Sequence, residues 1–209
     1  NGRFKALGTA AASAKDDSRA REHWGLFSVV MGVLSLRSIL NYGLMAFIPL
    51  FLVGVLGQGE ALSSTVISLF SIAGAIATAV SGRIAEKMGA IRLMVVCCIL
   101  TDVGIVGFAF NASVVAALAI TLVLAVTIDL FYPSTVALGM DYIPRHLGMA
   151  SGLSYGVAVC VGGVAEPFLG LAGDAVGLVP VMLVLAAVPL ASAVLGVVLK
   201  RLHRARFPM

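Results

Sequence analysis

Six predominantly apolar stretches, at 26–56, 62–81, 91–110, 113–138, 148–171 and 178–199, follow one another with only short polar breaks between them. A helix needs roughly 20 apolar residues to cross a hydrocarbon core of about 30 Å, and each stretch reaches that length. A soluble domain of this size has nowhere to bury them all, because 60% of the chain is hydrophobic and 11% charged; globular norms are roughly 45–50% and about 25%. The pattern predicts an all-α integral membrane protein with six transmembrane helices over 24–199. The first stretch exceeds one crossing, so it either tilts or begins as an interfacial segment around His23, Trp24 and Phe27.

The charges then orient the chain. Arg3, Lys5, Lys15, Arg19 and Arg21 precede the first stretch, Arg83, Lys87 and Arg92 sit between the second and third, Arg145 between the fourth and fifth, and Lys200, Arg201, Arg204 and Arg206 follow the sixth. The alternate connections, 57–61, 111–112 and 172–177, contain no Lys or Arg. The positive-inside rule therefore predicts both termini in the cytoplasm, which the even number of spans also requires, and a multi-pass protein of the inner (cytoplasmic) membrane. A net charge of +4 spread by loop in this way points to membrane topology, with no nucleic-acid partner expected. Residues 1–23 lack an apolar period and read as a cytoplasmic linker; 200–209 read as a basic cytoplasmic tail. A start at Asn1 with a linker at once behind it suggests that something precedes it.

Two connections share a spacing. Gly82, Glu86 with Lys87, and Gly89 follow the second stretch; Gly170, Asp174 and Gly177 follow the fifth. Each lies between the second and third helix of a set of three, so helices one to three repeat as four to six. Because three is odd, the two sets run in opposite senses through the membrane, the inverted repeat of secondary transporters. Glycines permit a tight turn, and an acid there can bond to the free amides of a helix N-terminus.

The segment Gly82, Arg83, Ile84, Ala85, Glu86, Lys87, Met88, Gly89, Ala90, Ile91, Arg92 resembles the signature loop of the major facilitator superfamily, with Glu86 in place of the usual Asp and Ala90 and Ile91 where bases are common. Ala137 to Pro144, then Gly148, Met149, Ala150, Ser151, Gly152, Gly162, Gly163, Pro167, Gly170, Asp174 and Gly177 are similar to the fosmidomycin resistance branch of that superfamily, as are Leu36, Arg37, Ser38 and Phe47 to Leu50. The resemblance covers nearly everything after residue 24 and matches the C-terminal half of the family's twelve-helix fold. It implies that an N-terminal six-helix half, in the same or a separate chain, is a partner, and that Gly82, Glu86, Lys87, Gly89 and Arg92 form a cytoplasmic gating loop.

Ionisable side chains within the apolar stretches cost at least about 2.5–3.5 kcal/mol each at mid-membrane and so point to function. Arg37 and Asn41 are one turn apart in the first helix, on a face that the resemblance directs into the central cavity. Arg37 either meets an anionic substrate or a carboxylate, or is paired structurally or snorkels to the interface. Asp129, followed by Tyr132 and Pro133, is either a buried proton carrier or a hydrated interfacial acid. Glu166, beside Pro167, lies toward the outer end of the fifth helix, with Ser151, Tyr155 and Gly162 on roughly the same stripe. Asp102, beside Thr101, is expected to be a buried, hydrogen-bonded structural acid. Gly148, Gly152 and Gly156, four apart, and Ser64, Ser68 and Ser71 read as close-packing stripes.

No hydrolytic constellation emerges. His23, His146 and His203 fall at span edges without metal-ligand spacing, Cys97, Cys98 and Cys160 lie in apolar stretches, and there is no phosphate-binding glycine loop, so neither metal, cofactor nor enzymatic activity is expected. The expected function is a proton-coupled secondary transporter half, exporting a drug or small molecule by alternating access, with Asp129 and Glu166 as proton-linked acids and Arg37, Asn41, Tyr132 and Tyr155 lining the cavity. The alternatives are uptake of a small organic anion, or a non-transporting six-helix membrane subunit.

Overall fold

The computed structural model describes residues 23–206. The expected linker, His23 apart, and the end of the tail at 207–209 fall outside the described residues. The helices are α1 (Trp24–Gly54), α2 (Glu60–Met88), α3 (Ala90–Ala109), α4 (Val114–Leu130), α5 (Tyr132–Tyr142), α6 (Leu147–Val176) and α7 (Leu178–Arg206), with one 3₁₀ turn at Pro144–His146 before α6. No strand occurs among the described residues. Six spans are long and apolar enough to cross a membrane, α4 and α5 together forming the fourth.

The spans outrun the apolar stretches because polar residues continue them. α1 is one unbroken helix of 31 residues beginning at Trp24, about 46 Å of rise, so the aromatic start belongs to the helix itself. Lys200, Arg201 and Arg204 do not follow the last helix; they are its final turns. Gly82, Glu86 and Lys87 likewise belong to α2, and Arg92 to α3. What the sequence suggested as a gating loop is a one-residue connection, Gly89, at φ 84°. Its counterpart Gly177, between α6 and α7, has φ 91°, and each donates its N–H to the carbonyl four residues back, Ala85 and Gly173. A residue with a Cβ rarely adopts that backbone, which is why a glycine recurs where two helices meet with no loop. The N-terminus of α3 carries no side-chain cap, so the acid of the motif does not serve that purpose. Gly89→Ala and Gly177→Ala are each expected to cost roughly 1–3 kcal/mol, read as a lower unfolding midpoint in detergent; unchanged midpoints would show that the connections can re-form another way.

Packing follows the same repeat. α1 lies along α6 and α7, as α4 and α5 together lie along α2 and α3, while α3 and α7 pack on each other. These are the contacts of two inverted three-helix sets related by a pseudo-twofold axis. Close approach depends on single glycines, since apolar side chains gain little from leaving lipid for protein. A Cβ at Gly162 of α6 would come within 2.8 Å of the Ser38 carbonyl on α1, a backbone atom that cannot step aside. The stripe of Gly148, Gly152 and Gly156 meets no other described helix of this chain: a Cβ at any of them finds nothing within 4 Å. Those glycines face outward, and α6 is the least buried span, with α2 next. Ser64, Ser68 and Ser71 are also exposed and return their hydroxyls to carbonyls of their own helix.

Two apolar clusters fill the interior at different heights. One gathers Leu44, Phe47, Phe51, Phe70, Phe108 and Leu124, with the Phe51 and Phe108 rings 4.9 Å apart. The other, toward the basic ends of the helices, gathers Phe27, Val30, Leu34, Met94, Cys97 and Leu199. On α1 the first begins at Leu40 and the second ends at Leu34; on the fourth span the boundary falls between Ile128 and Phe131. The gap between them holds the polar layer.

Candidate functional site

Arg37 and Asp129, 92 residues apart in sequence, occupy that gap and form an ion pair between Nη2 and Oδ1. Their side chains are 12% and 17% exposed, respectively, so the pair is held largely away from solvent, midway along both spans. Arg37 therefore does not snorkel to an end of its helix, and Asp129 is not an interfacial acid.

The local reason lies in the break of the fourth span. Pro133 has no N–H to offer the Asp129 carbonyl four residues earlier, so α4 stops at Leu130 and the chain restarts at Tyr132. On the α5 side the Phe131 carbonyl accepts the Thr135 N–H at 3.0 Å and the Ser134 and Thr135 hydroxyls at 2.9 Å and 2.8 Å, so the restarted helix is held at its first turn. On the α4 side the break leaves a helix C-terminus inside the bundle, carrying roughly half a negative charge. Arg37 answers it: Nε–H donates to the Ile128 carbonyl at 3.4 Å, while the guanidinium also pairs with the Asp129 carboxylate. A cation at that terminus satisfies both an orphan carbonyl and a buried acid.

Aromatic rings complete the cluster. The guanidinium carbon stands 4.2 Å from the centroid of the Tyr132 ring, well inside cation–π range, and Tyr132 meets Tyr155 of α6 edge-on at 5.8 Å. Tyr155 is half exposed, on the open side of α6. Gly74 on α2 forms the remaining wall, where a Cβ would overlap Asp129 Oδ2. The absence of a side chain at Gly74 is what allows the carboxylate to lie flat against α2.

Of the residues singled out from sequence, Arg37, Asp129, Tyr132 and Tyr155 converge. Asn41 lies one turn beyond Arg37, partly buried and outside the contacts of the cluster. Glu166 sits on α6 eleven positions past Tyr155, about 16 Å further along the helix, and is partly exposed. Gly82, Glu86, Lys87, Gly89 and Arg92 lie at the basic ends of α2 and α3, remote from the pair. Asp102 is only partly buried, and its neighbour Thr101 takes the interior hydrogen bond instead, to Thr127 at 2.9 Å. Gly74 is the member that sequence reasoning missed. Its signal was a lone glycine in a helix interior, a position that costs about 0.8–1 kcal/mol against alanine and so calls for a reason.

Six membrane-length helices in two inverted sets, around an ion pair at mid-height, define a multi-pass membrane protein of the transporter type. The sequence profile of the Major Facilitator Superfamily matches residues 22–207, and the chain belongs to that family. It is a membrane transport protein. Comparison with curated proteins finds no match.

Proposed function

We propose that this chain is the C-terminal half of a twelve-helix, proton-coupled transporter of the cytoplasmic membrane, both termini cytoplasmic, that exports a small molecule by alternating access. The observation that carries the reading is the Arg37–Asp129 pair stacked on Tyr132 and open on one side through Tyr155. A proton and a substrate that donates to Asp129 compete for one carboxylate, which is the requirement for antiport. Each releases Arg37 from its partner and unsettles the end of α4, coupling occupancy to the shape of the span. Glu166, nearer the outer end of α6, passes protons between that carboxylate and the outside. The N-terminal six-helix half, in the same chain or another, covers the open sides of α2 and α6 and closes the cavity; their outward glycines and serines support a close helix–helix fit there. Similarity to the fosmidomycin resistance branch supports export without naming the substrate.

A second reading is favoured by one detail: the guanidinium stacks on Tyr132, whose ring meets the half-exposed Tyr155 at the same opening. An organic anion competes with Asp129 for Arg37 and gains when Asp129 takes a proton, so anion and proton then move together. In proteoliposomes holding the complete transporter, an imposed proton gradient separates the two by direction of flux. Asp129→Asn with Glu166→Gln is expected to abolish gradient-driven transport in either case; full activity in that double variant would sink the proton-coupling assignment.

A further inference from the structure

A cavity of about 560 Å³ lies between α1 and α2 at the ends opposite the basic residues, lined by Met45, Pro49 and Val53 on one side and Glu60, Ser63 and Ile67 on the other. Pro49 is twelve positions beyond Arg37 on the same helix, about 18 Å of rise, so this space is separate from the ion pair.

The cavity is apolar in its walls and holds polar groups with unfilled hydrogen bonds. Pro49 has no N–H, so the carbonyl of Met45, four residues back, loses its helical donor. Ser63 is 4% exposed and its hydroxyl has no partner. Its neighbour Ser64 returns its hydroxyl to the Glu60 carbonyl at 3.1 Å, so the unspent group at Ser63 is a departure from the local habit. A buried hydroxyl left alone is costly, and a turn about its Cα–Cβ bond to meet a donor in the cavity removes the cost. Glu60 contributes a carboxylate, and none of the lining residues is Lys or Arg. The N-terminus of α2 adds only about half a positive charge, less than the full negative charge of Glu60, so the net field favours a cation.

We infer that this cavity binds a small lipophilic ammonium, its N–H groups on the Glu60 carboxylate, the Ser63 hydroxyl and the Met45 carbonyl, its hydrocarbon part against Val53 and Ile67. The site is independent of the proton-coupling reading. An anion is opposed by Glu60, and a neutral alcohol leaves that charge unmatched.

The whole chain in phosphatidylcholine nanodiscs is titrated with octylammonium, octanol and octanoate, reading the thermal unfolding midpoint and the apparent Kd. Octylammonium alone is expected to raise the midpoint. Glu60→Gln, at an exposed helix end, is expected to weaken it at least about tenfold, and Ser63→Ala about tenfold, as fits loss of a charge-assisted hydrogen bond. Equal stabilisation by octanol or octanoate, or wild-type affinity in both variants, overturns the assignment. Nanodiscs containing phosphatidylethanolamine distinguish the source: a weakened octylammonium response assigns the cavity to a lipid headgroup ammonium, an unchanged one to a free amine, and each supports ammonium recognition.

Discussion

Asp129→Ala is expected to lower the stability of the bundle by about 3–5 kcal/mol and to end transport, whereas Arg37→Met with Asp129→Leu recovers most of the stability and none of the transport. The asymmetry follows from where the pair sits. Removing the carboxylate leaves a guanidinium between two apolar clusters with only the Ile128 carbonyl and the Tyr132 ring to hold it. Breaking a buried pair strands a charge; replacing both members with apolar groups of similar size strands none. The double variant still leaves the end of α4 uncapped, so its recovery should stop short of complete by about 0.5–2 kcal/mol, the usual worth of a lost cap. Thermal unfolding of the variants in one detergent, with transport in proteoliposomes, reads both halves of the expectation. A single variant as stable as the wild type would mean that the pair is solvated and carries no weight.

The second large effect belongs to a residue with no side chain. Gly74→Ala is expected to reduce transport by at least about tenfold and to cost about 1–3 kcal/mol, the range for forcing bulk into a filled space. A methyl group there would occupy the position of Asp129 Oδ2. Either the carboxylate swings away from Arg37, or α2 withdraws from the fourth span; both undo the cluster. Gly107→Ala is the matched control, since a Cβ at that position meets only Ile120 at an ordinary 3.9 Å. Transport in Gly74→Ala equal to that in Gly107→Ala would show that the carboxylate needs no such fit.

The six spans were legible because hydropathy acts locally: each run of apolar residues declares its own helix. The inverted repeat was legible for a similar reason, since Gly82, Glu86 and Gly89 match Gly170, Asp174 and Gly177 in spacing. What the spacing could not say is that only the last glycine of each trio leaves the helix, because a glycine within a few residues of a charge reads equally as part of a loop or as the end of a helix. Asp129 with Pro133 announced a polar, interrupted helix, but its partner did not follow. Pairing Arg37 with Asp129 depends on the rotation and depth of two helices 92 residues apart, quantities set by packing contacts such as Gly162 on Ser38 rather than by any local pattern. The glycine stripe at Gly148, Gly152 and Gly156 left its neighbour open for a related reason: spacing marks a smooth face without telling what meets it, and no described helix of this chain does. Asp102 misled because Thr101, one position away, was the neighbour turned inward.

The position of the ion pair also has an electrical consequence. As a closed pair, Arg37 and Asp129 carry no net charge, so a voltage across the membrane does almost no work on them as the bundle moves. A proton on Asp129 changes that, leaving one uncompensated positive charge about halfway through the field. One full charge crossing 100 mV exchanges about 2.3 kcal/mol, so the half-crossing is worth about 1 kcal/mol. Under the proposed proton coupling, the carboxylate at which proton and substrate compete also sets how strongly the resting potential biases one orientation of the transporter over the other.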